Sequence, residues 1–254
     1  LLFVIPLLNF CSNFKRPFLA ILVSYPYLIT VIGIGTIRQS IAIAFLMVGI
    51  NALNKNKIYK YYFFNFFSII FHYSSLIFIF LPLLISSKRN IKLKKIKKFL
   101  FYLFLILGFS LFIFNNNYLS YQLNGYLNYK EAISFKSPLM VWSMISLPAI
   151  FILINYKDIR EEDENRFWKN YSIICILMIF SIFFNTIISL RLLLYFLPLK
   201  IYALSKLPQI SIFKYCPTKA YLIAFTISLS FLTVWLNFAN HSYCYLPYKN
   251  LLLK

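Results

Sequence analysis

Long apolar runs separated by short basic loops constrain the fold of this chain more than any other feature. Most runs approach the ~20 residues that a helix needs to cross a hydrocarbon core of about 30 Å. They do not alternate polar and apolar residues, as the strands of a transmembrane barrel do. The sequence therefore predicts an all-α, polytopic helical transmembrane protein.

The runs divide the chain into roughly seven to nine membrane segments that form one integral membrane domain over residues 1–254. The chain opens on Leu1 inside a short apolar run, so we expect a truncated N-terminus. The predicted segments are 18–36, 37–53, 61–85, 99–114, 137–154, 171–189, 190–204 and 220–236.

The net charge of +20 would indicate a nucleic-acid partner in a soluble protein. This chain is 61% hydrophobic and only 13% charged, whereas a soluble domain is about 25% charged. Its positive residues lie in short loops, where they set membrane orientation, so no nucleic-acid partner is expected. The four cysteines have no paired spacing and are predicted to be small apolar residues.

Two basic loops, 54–60 and 86–98, flank a single apolar stretch at 61–85. If that stretch crossed the membrane once, one basic loop would lie outside, against the positive-inside rule. We therefore predict a re-entrant pair of half-helices that turns near residues 71–75, beside a protein-lined or wet cavity. This topology counts Lys200 and Lys206 as inside charges. The positive residues left outside are Arg38, Lys130, Lys136, Arg191, Lys249 and Lys254.

The same topology brings Arg38, His72, Arg191 and His241 to or near the outer face, where they form a predicted site. Arginine suits phosphate and pyrophosphate because its planar fork donates several hydrogen bonds and keeps its charge. Histidine suits a general base or an orienting group. The alternative interpretation is structural: interfacial anchoring for the arginines, packing for His72 and an incidental role for His241.

No nucleotide-binding, zinc-protease or hydrolase motif occurs in the sequence. The predicted outer face offers only Glu131 as a carboxylate ligand. We therefore expect metal-independent chemistry without a cofactor.

Residues 18 to the end resemble the EpsG-like branch of the Wzy-type polysaccharide polymerases. One matching element is the run from Gly35 to Ala42, with Arg38 in it, and another is Phe-His-Tyr-Ser-Ser-Leu-Ile at 71–77. The late run 191–196 and Leu-Pro-Tyr-Lys at 246–249 are also similar to family positions. The family's usual N-terminal region is absent from this sequence.

The resemblance implies a membrane glycosyltransferase that polymerises repeat units carried on undecaprenyl pyrophosphate into a surface polysaccharide, such as an O-antigen, capsule or exopolysaccharide. It implies a multi-pass protein of the bacterial plasma membrane. Its partners would be lipid-linked glycans, membrane lipids and other polysaccharide assembly proteins. The implied catalytic residues are Arg38, His72 and Arg191. The implied substrate-binding residues are Gln39, Tyr73, Tyr195, His241, Tyr245 and Tyr248.

The sequence leaves open whether His72 or His241 is the general base. It also leaves open three other functions. A ligase for lipid-linked glycans would share the donor chemistry, and a flippase or transporter of lipid-linked sugars would share the buried charges. A non-catalytic assembly subunit is the third alternative.

Overall fold

The computed structural model describes residues 1–84, 136–159, 167–184, 186–210, 213 and 216–239, and within these ranges every regular element is a helix. Among the described residues, four helices are long and apolar enough to cross a membrane: Pro17–Gly35, Ile37–Asn54, Ile188–Gln209 and Pro217–Asn237. Three shorter apolar helices are Tyr73–Pro82, Pro138–Ile154 and Phe167–Phe183. The predicted all-α, polytopic membrane architecture is confirmed. The predicted segment at 99–114 lies outside the described residues.

The N-terminal elements are two short α-helices followed by a π-helix and one further helical turn. Proline begins the second helix, where its missing amide hydrogen leaves no hydrogen bond unmade. Pro26 has no amide hydrogen with which to continue the α-helical ladder, and the chain proceeds with π-helical geometry. The bounds are α1 (Val4–Ser12), α2 (Pro17–Ser24), the π-helix (Tyr25–Ile32) and α3 (Gly33–Gly35).

The next two helices, α4 (Ile37–Asn54) and α5 (Ile58–Phe71), form an antiparallel pair. Asn56 makes the tight turn between them with φ 58°, a conformation that asparagine tolerates better than most residues. Gly49 lets the helices approach closely, because a Cβ there would lie 3.2 Å from Cδ2 of Tyr61. The Ser68 hydroxyl donates to the Ala42 carbonyl at 2.8 Å.

The chain reverses direction immediately after α5. His72 is extended, with φ −156° and ψ 115°, and a 3₁₀-helix follows at Tyr73–Leu84. The amide and hydroxyl of Ser75 both donate to the His72 carbonyl, at 3.1 and 2.9 Å. The Tyr61 hydroxyl donates to the Phe78 carbonyl, which holds the returning segment against α5. The reversal lies at the predicted turn.

The rest of the described chain contains seven more α-helices and two 3₁₀ turns. They are α6 (Lys136–Ile154), α7 (Tyr156–Ile159), α8 (Phe167–Leu177), α9 (Ile179–Phe184), α10 (Thr186–Leu193), a 3₁₀ turn (Leu194–Phe196), α11 (Leu197–Ser205), a 3₁₀ turn (Leu207–Gln209) and α12 (Pro217–Phe238). The predicted boundary between membrane segments at 189/190 falls inside the observed span Ile188–Gln209, which begins earlier and ends later than the predicted segment 190–204. The 3₁₀ turn at 194–196 tightens this helix without ending it.

Aromatic rings pack the core between α8, α11 and the 3₁₀ turn before it. Trp168 stacks on Tyr202 with ring centroids 4.0 Å apart, and Tyr171 stacks on Phe196 at 4.8 Å. Lys200 and Lys206 are each only 2% exposed, so counting them with the solvent-exposed inside charges was wrong. The Lys200 ammonium lies 5.0 Å from the Phe231 ring centroid, within the range of a cation–π interaction.

Candidate functional site

Arg38 and Arg191 lie near the starts of two candidate membrane spans, and a hydrogen bond joins those starts. Arg38 occupies the first turn of α4, and Arg191 lies in α10 at the fourth residue of the span Ile188–Gln209. Gln39 is 5% exposed, and its Nε2 donates to the Arg191 carbonyl oxygen at 2.8 Å. The hydrogen bond sets the first turn of α4 beside the Arg191 turn, across 152 residues of sequence.

The N-terminus of α4 contributes positive potential of its own. The first amide groups of a helix have no partner inside the helix, and the helix dipole is positive at that end. The N-cap residue of α4, Thr36, makes no side-chain hydrogen bond to the amides of the helix. The Arg38 side chain is exposed at this terminus. A helix start carrying an arginine favours an anionic partner.

His72 lies at the chain reversal, where a serine and a tyrosine hold one side of its ring. Ser74 Oγ lies 2.6 Å from His72 Nδ1, and the Tyr195 hydroxyl oxygen lies 3.3 Å from the same nitrogen. Ser74 also donates to the Tyr195 hydroxyl at 3.2 Å. These three groups therefore form a closed triangle. Both contacts to the ring are made at Nδ1, so Nε2 is the ring nitrogen that can contact a substrate.

Two other elements hold Tyr195 in place. Its ring packs on Phe78 with centroids 5.0 Å apart, and its backbone carbonyl accepts a hydrogen bond from the Tyr171 hydroxyl at 2.7 Å. The tyrosine is fully buried. The returning 3₁₀-helix and α8 therefore both contact the long span at 188–209 at this residue.

The positive charges of Arg38 and Arg191 both act on the His72 imidazole. His72 is half-buried and lies outside the four candidate spans. Its pKa is lowered from 6.5, first by desolvation, then by the positive charge of Arg191 and then by that of Arg38. Burial and nearby cations both disfavour the protonated ring. The imidazole is therefore neutral near pH 7, as a general base must be.

We refer to Arg38, Gln39, His72, Ser74, Arg191 and Tyr195 as the arginine–histidine cluster. Five of the six were predicted from the sequence, and the structure brings those five together. Tyr73 is 86% exposed and makes no described contact with the cluster. The other predicted site residues, His241, Tyr245 and Tyr248, lie outside the described residues.

Ser74 and Ser75 were not singled out from the sequence, although they follow His72 directly. Ser74 contacts the imidazole, and Ser75 fixes the turn that presents it. The available signal was local. A histidine followed by serines at a helix end predicts side-chain hydrogen bonds to the turn. The sequence does not say which serine faces the ring.

The cluster combines two guanidinium groups, an uncapped helix start and a neutral imidazole. Such an arrangement can bind a phosphate or pyrophosphate and can accept a proton beside it. Within the described ranges, no three His, Cys, Asp or Glu side chains come together in a way that could hold a metal ion.

A family model described as the EpsG family matches residues 1–250 of the chain. No curated protein matches it, and no solved structure does.

Proposed function

The chain belongs to the EpsG family, whose membrane proteins are implicated in exopolysaccharide biosynthesis, and from this premise we propose that it is a repeat-unit polymerase. It transfers a growing glycan from its undecaprenyl pyrophosphate carrier to a hydroxyl of the next lipid-linked repeat unit. The observation that carries the proposal is that the Gln39 hydrogen bond joins the Arg38 and Arg191 turns at the starts of two candidate spans. The charges of both arginines also lower the pKa of His72.

Arg38 and Arg191 hold the leaving group. When the bond between the anomeric carbon and the carrier oxygen breaks, negative charge accumulates on the pyrophosphate. Fixed cations stabilise that charge in the transition state more than in the ground state. The uncapped amides of α4 add donors on the same side. Gln39 keeps the two arginine-bearing turns in register through the Arg191 carbonyl.

His72 accepts the proton of the attacking hydroxyl. The new glycosidic bond forms between that oxygen and the anomeric carbon, and the proton passes to Nε2. The lowered pKa of His72 supports this role because it keeps the ring unprotonated near neutral pH. Ser74 and Tyr195 orient the ring through Nδ1. His241 is the other histidine that can serve as the base.

The chain reversal at His72 supports a re-entrant pair over residues 61–85. The pair would bring both basic flanking loops to the cytoplasmic side and the cluster to the extracytoplasmic face of the bacterial plasma membrane. Lipid-linked units delivered to that face would meet the arginines at the membrane surface. Other polysaccharide assembly proteins would supply those units.

Complementation of a host that lacks this gene tests the proposal. The host would receive wild type, Arg38→Ala, Arg38→Lys or His72→Ala, and its surface glycan would be separated on a gel. We expect the ladder to collapse to a single repeat unit in all three variants, because lysine cannot reproduce the planar fork of arginine. Arg16→Ala is the matched control, since this half-buried arginine lies outside the cluster.

Membrane levels of each variant must match wild type for the comparison to hold. A normal ladder in Arg38→Ala and His72→Ala would overturn the proposal. Loss of lipid-linked units from the outer leaflet, with no single-unit product, would indicate a flippase instead. His241→Ala, made in parallel, decides which histidine is the base.

A further inference from the structure

A row of phenylalanine rings on α4 and α5 begins directly beside His72. Phe71 precedes the histidine, and its ring stacks on Phe45 with centroids 5.7 Å apart and planes 9° apart. Phe45 also stacks on Phe67, at 5.6 Å and 24°. Phe63 meets Phe67 edge to face at 5.1 Å. We call these four residues, Phe45, Phe63, Phe67 and Phe71, the aromatic lane.

The lane shares a helix face with Arg38. Phe45 follows Arg38 by seven residues, or about two turns, so both side chains lie on one side of α4. The opposite side of that helix is packed, since Ile43 and Met47 are fully buried. Phe45 is half-buried and Phe63 is 59% exposed. The lane therefore faces outward from the bundle, on the same side of α4 as Arg38.

We propose that the aromatic lane binds the polyprenyl tail of the lipid whose pyrophosphate lies at the arginine–histidine cluster. This inference rests on the proposed function and names a second subsite for the same substrate. A pyrophosphate held at the arginines leaves its tail in the hydrocarbon region, and the lane is apolar surface continuous with that headgroup position.

The stacked rings are suited to a flexible chain. They present broad apolar faces that are already ordered against one another, so binding fixes few additional side-chain rotamers. From Phe71 to Phe63 the lane extends about 12 Å along α5 at the helical rise. A bound tail would therefore gain contact only over its first isoprene units.

Binding of a chain-length series to the full chain in phosphatidylcholine nanodiscs tests the inference. The probes are inorganic pyrophosphate and dimethylallyl, geranyl, farnesyl and undecaprenyl pyrophosphates. We expect affinity to rise with chain length and then level off as the chain outgrows the lane. In Phe45→Ala and Phe67→Ala, we expect the gain from dimethylallyl to farnesyl to fall by about three- to tenfold, with pyrophosphate binding unchanged.

Phe180→Ala is the matched control, because this ring is 61% exposed on α9 and lies outside the lane. Phe45→Leu and Phe67→Leu keep most of the apolar volume and guard against loss of folding, and we expect an intermediate effect from both. Arg38→Ala is expected to weaken the binding of every probe, while affinity should still rise with chain length.

The outcomes separate the two proposals. If affinity rises with chain length as much in the alanine variants as in wild type, the proposal that the lane binds the tail is wrong. The proposed function would be unaffected. Competition by phosphatidylglycerol as strong as by farnesyl pyrophosphate would overturn the lane proposal too, since the lane would then be ordinary bilayer-facing surface. If no pyrophosphate probe binds at all, the proposed function fails, and the lane fails with it.

Discussion

At the scale of single residues, the environment of His72 matters most to the site. One nitrogen of its ring is engaged by Ser74 and Tyr195, and two guanidinium groups repel a proton on the ring. The sequence contains only two histidines, His72 and His241. Replacing His241 therefore leaves His72 as the single histidine in the chain, so that its titration can be followed alone.

In a His241→Gln background, we expect the pKa of His72 to lie below 6.5. Diethyl pyrocarbonate modifies only the neutral ring, so the midpoint of the modification rate against pH gives that pKa. Arg38→Gln should raise the midpoint, because it removes a positive charge that disfavours protonation. As pH falls through the midpoint, the ring becomes protonated and loses its capacity to act as a base.

Arg16→Gln is the control, because Arg16 is not among the charges that lower this pKa. The described electrostatics would be contradicted if the modification midpoint in the His241→Gln background lay above pH 6.5. They would also be contradicted if Arg38→Gln did not change that midpoint.

At the scale of elements, the close approach of α4 and α5 supports the turn that presents His72. Tyr61 is fully buried against Gly49, and its hydroxyl is bonded to the Phe78 carbonyl on the returning segment. The ring is thus held at both ends and cannot move aside. Through Tyr61, packing between two helices fixes the segment that follows the histidine.

Gly49→Ala should therefore destabilise the protein, although alanine is the better helix former by about 1 kcal/mol. The new Cβ would lie 3.2 Å from Cδ2 of Tyr61, and overpacking of this kind costs about 1–3 kcal/mol. Thermal unfolding in detergent measures the change. Gly35→Ala, at an exposed position of α3, is the control. A raised unfolding temperature for Gly49→Ala would mean that Tyr61 can yield.

At the scale of the whole molecule, the topology that we propose depends on the reversal at His72. In that topology the two flanking basic loops lie on one side of the membrane and the arginine–histidine cluster lies on the other. Lys200 and Lys206 are buried in the bundle and do not contribute to the charge bias of the loops. The predicted charge bias therefore rests on the remaining lysines and arginines of the inside loops.

Cysteine-accessibility labelling measures the topology directly. In a chain whose four native cysteines are replaced by serine, reporter cysteines at Lys57 and Lys92 should react from the same, cytoplasmic side. A reporter at Lys130 should react from the other side. Reporters at Lys57 and Lys92 on opposite faces would rule out the re-entrant pair.

The sequence by itself determined the helical membrane class. It also predicted a turn near His72 and named five of the residues that the structure brings together there. The length of the apolar runs determines the helical membrane class, because a bilayer leaves few ways to satisfy backbone hydrogen bonds. Arginines and histidines inside apolar runs stand out for the same reason, since they are costly in lipid.

Only the tertiary structure decided which side chains meet. The Gln39 hydrogen bond to Arg191 spans 152 residues, and the Ser74 hydrogen bond to Tyr195 spans 121. No local pattern encodes such pairings, because they arise from how whole helices pack. The burial of Lys200 has the same origin. From the sequence its ammonium is counted only as an inside charge, whereas in the structure the rings of Tyr27 and Phe231, from two other helices, lie 5.9 and 5.0 Å from it.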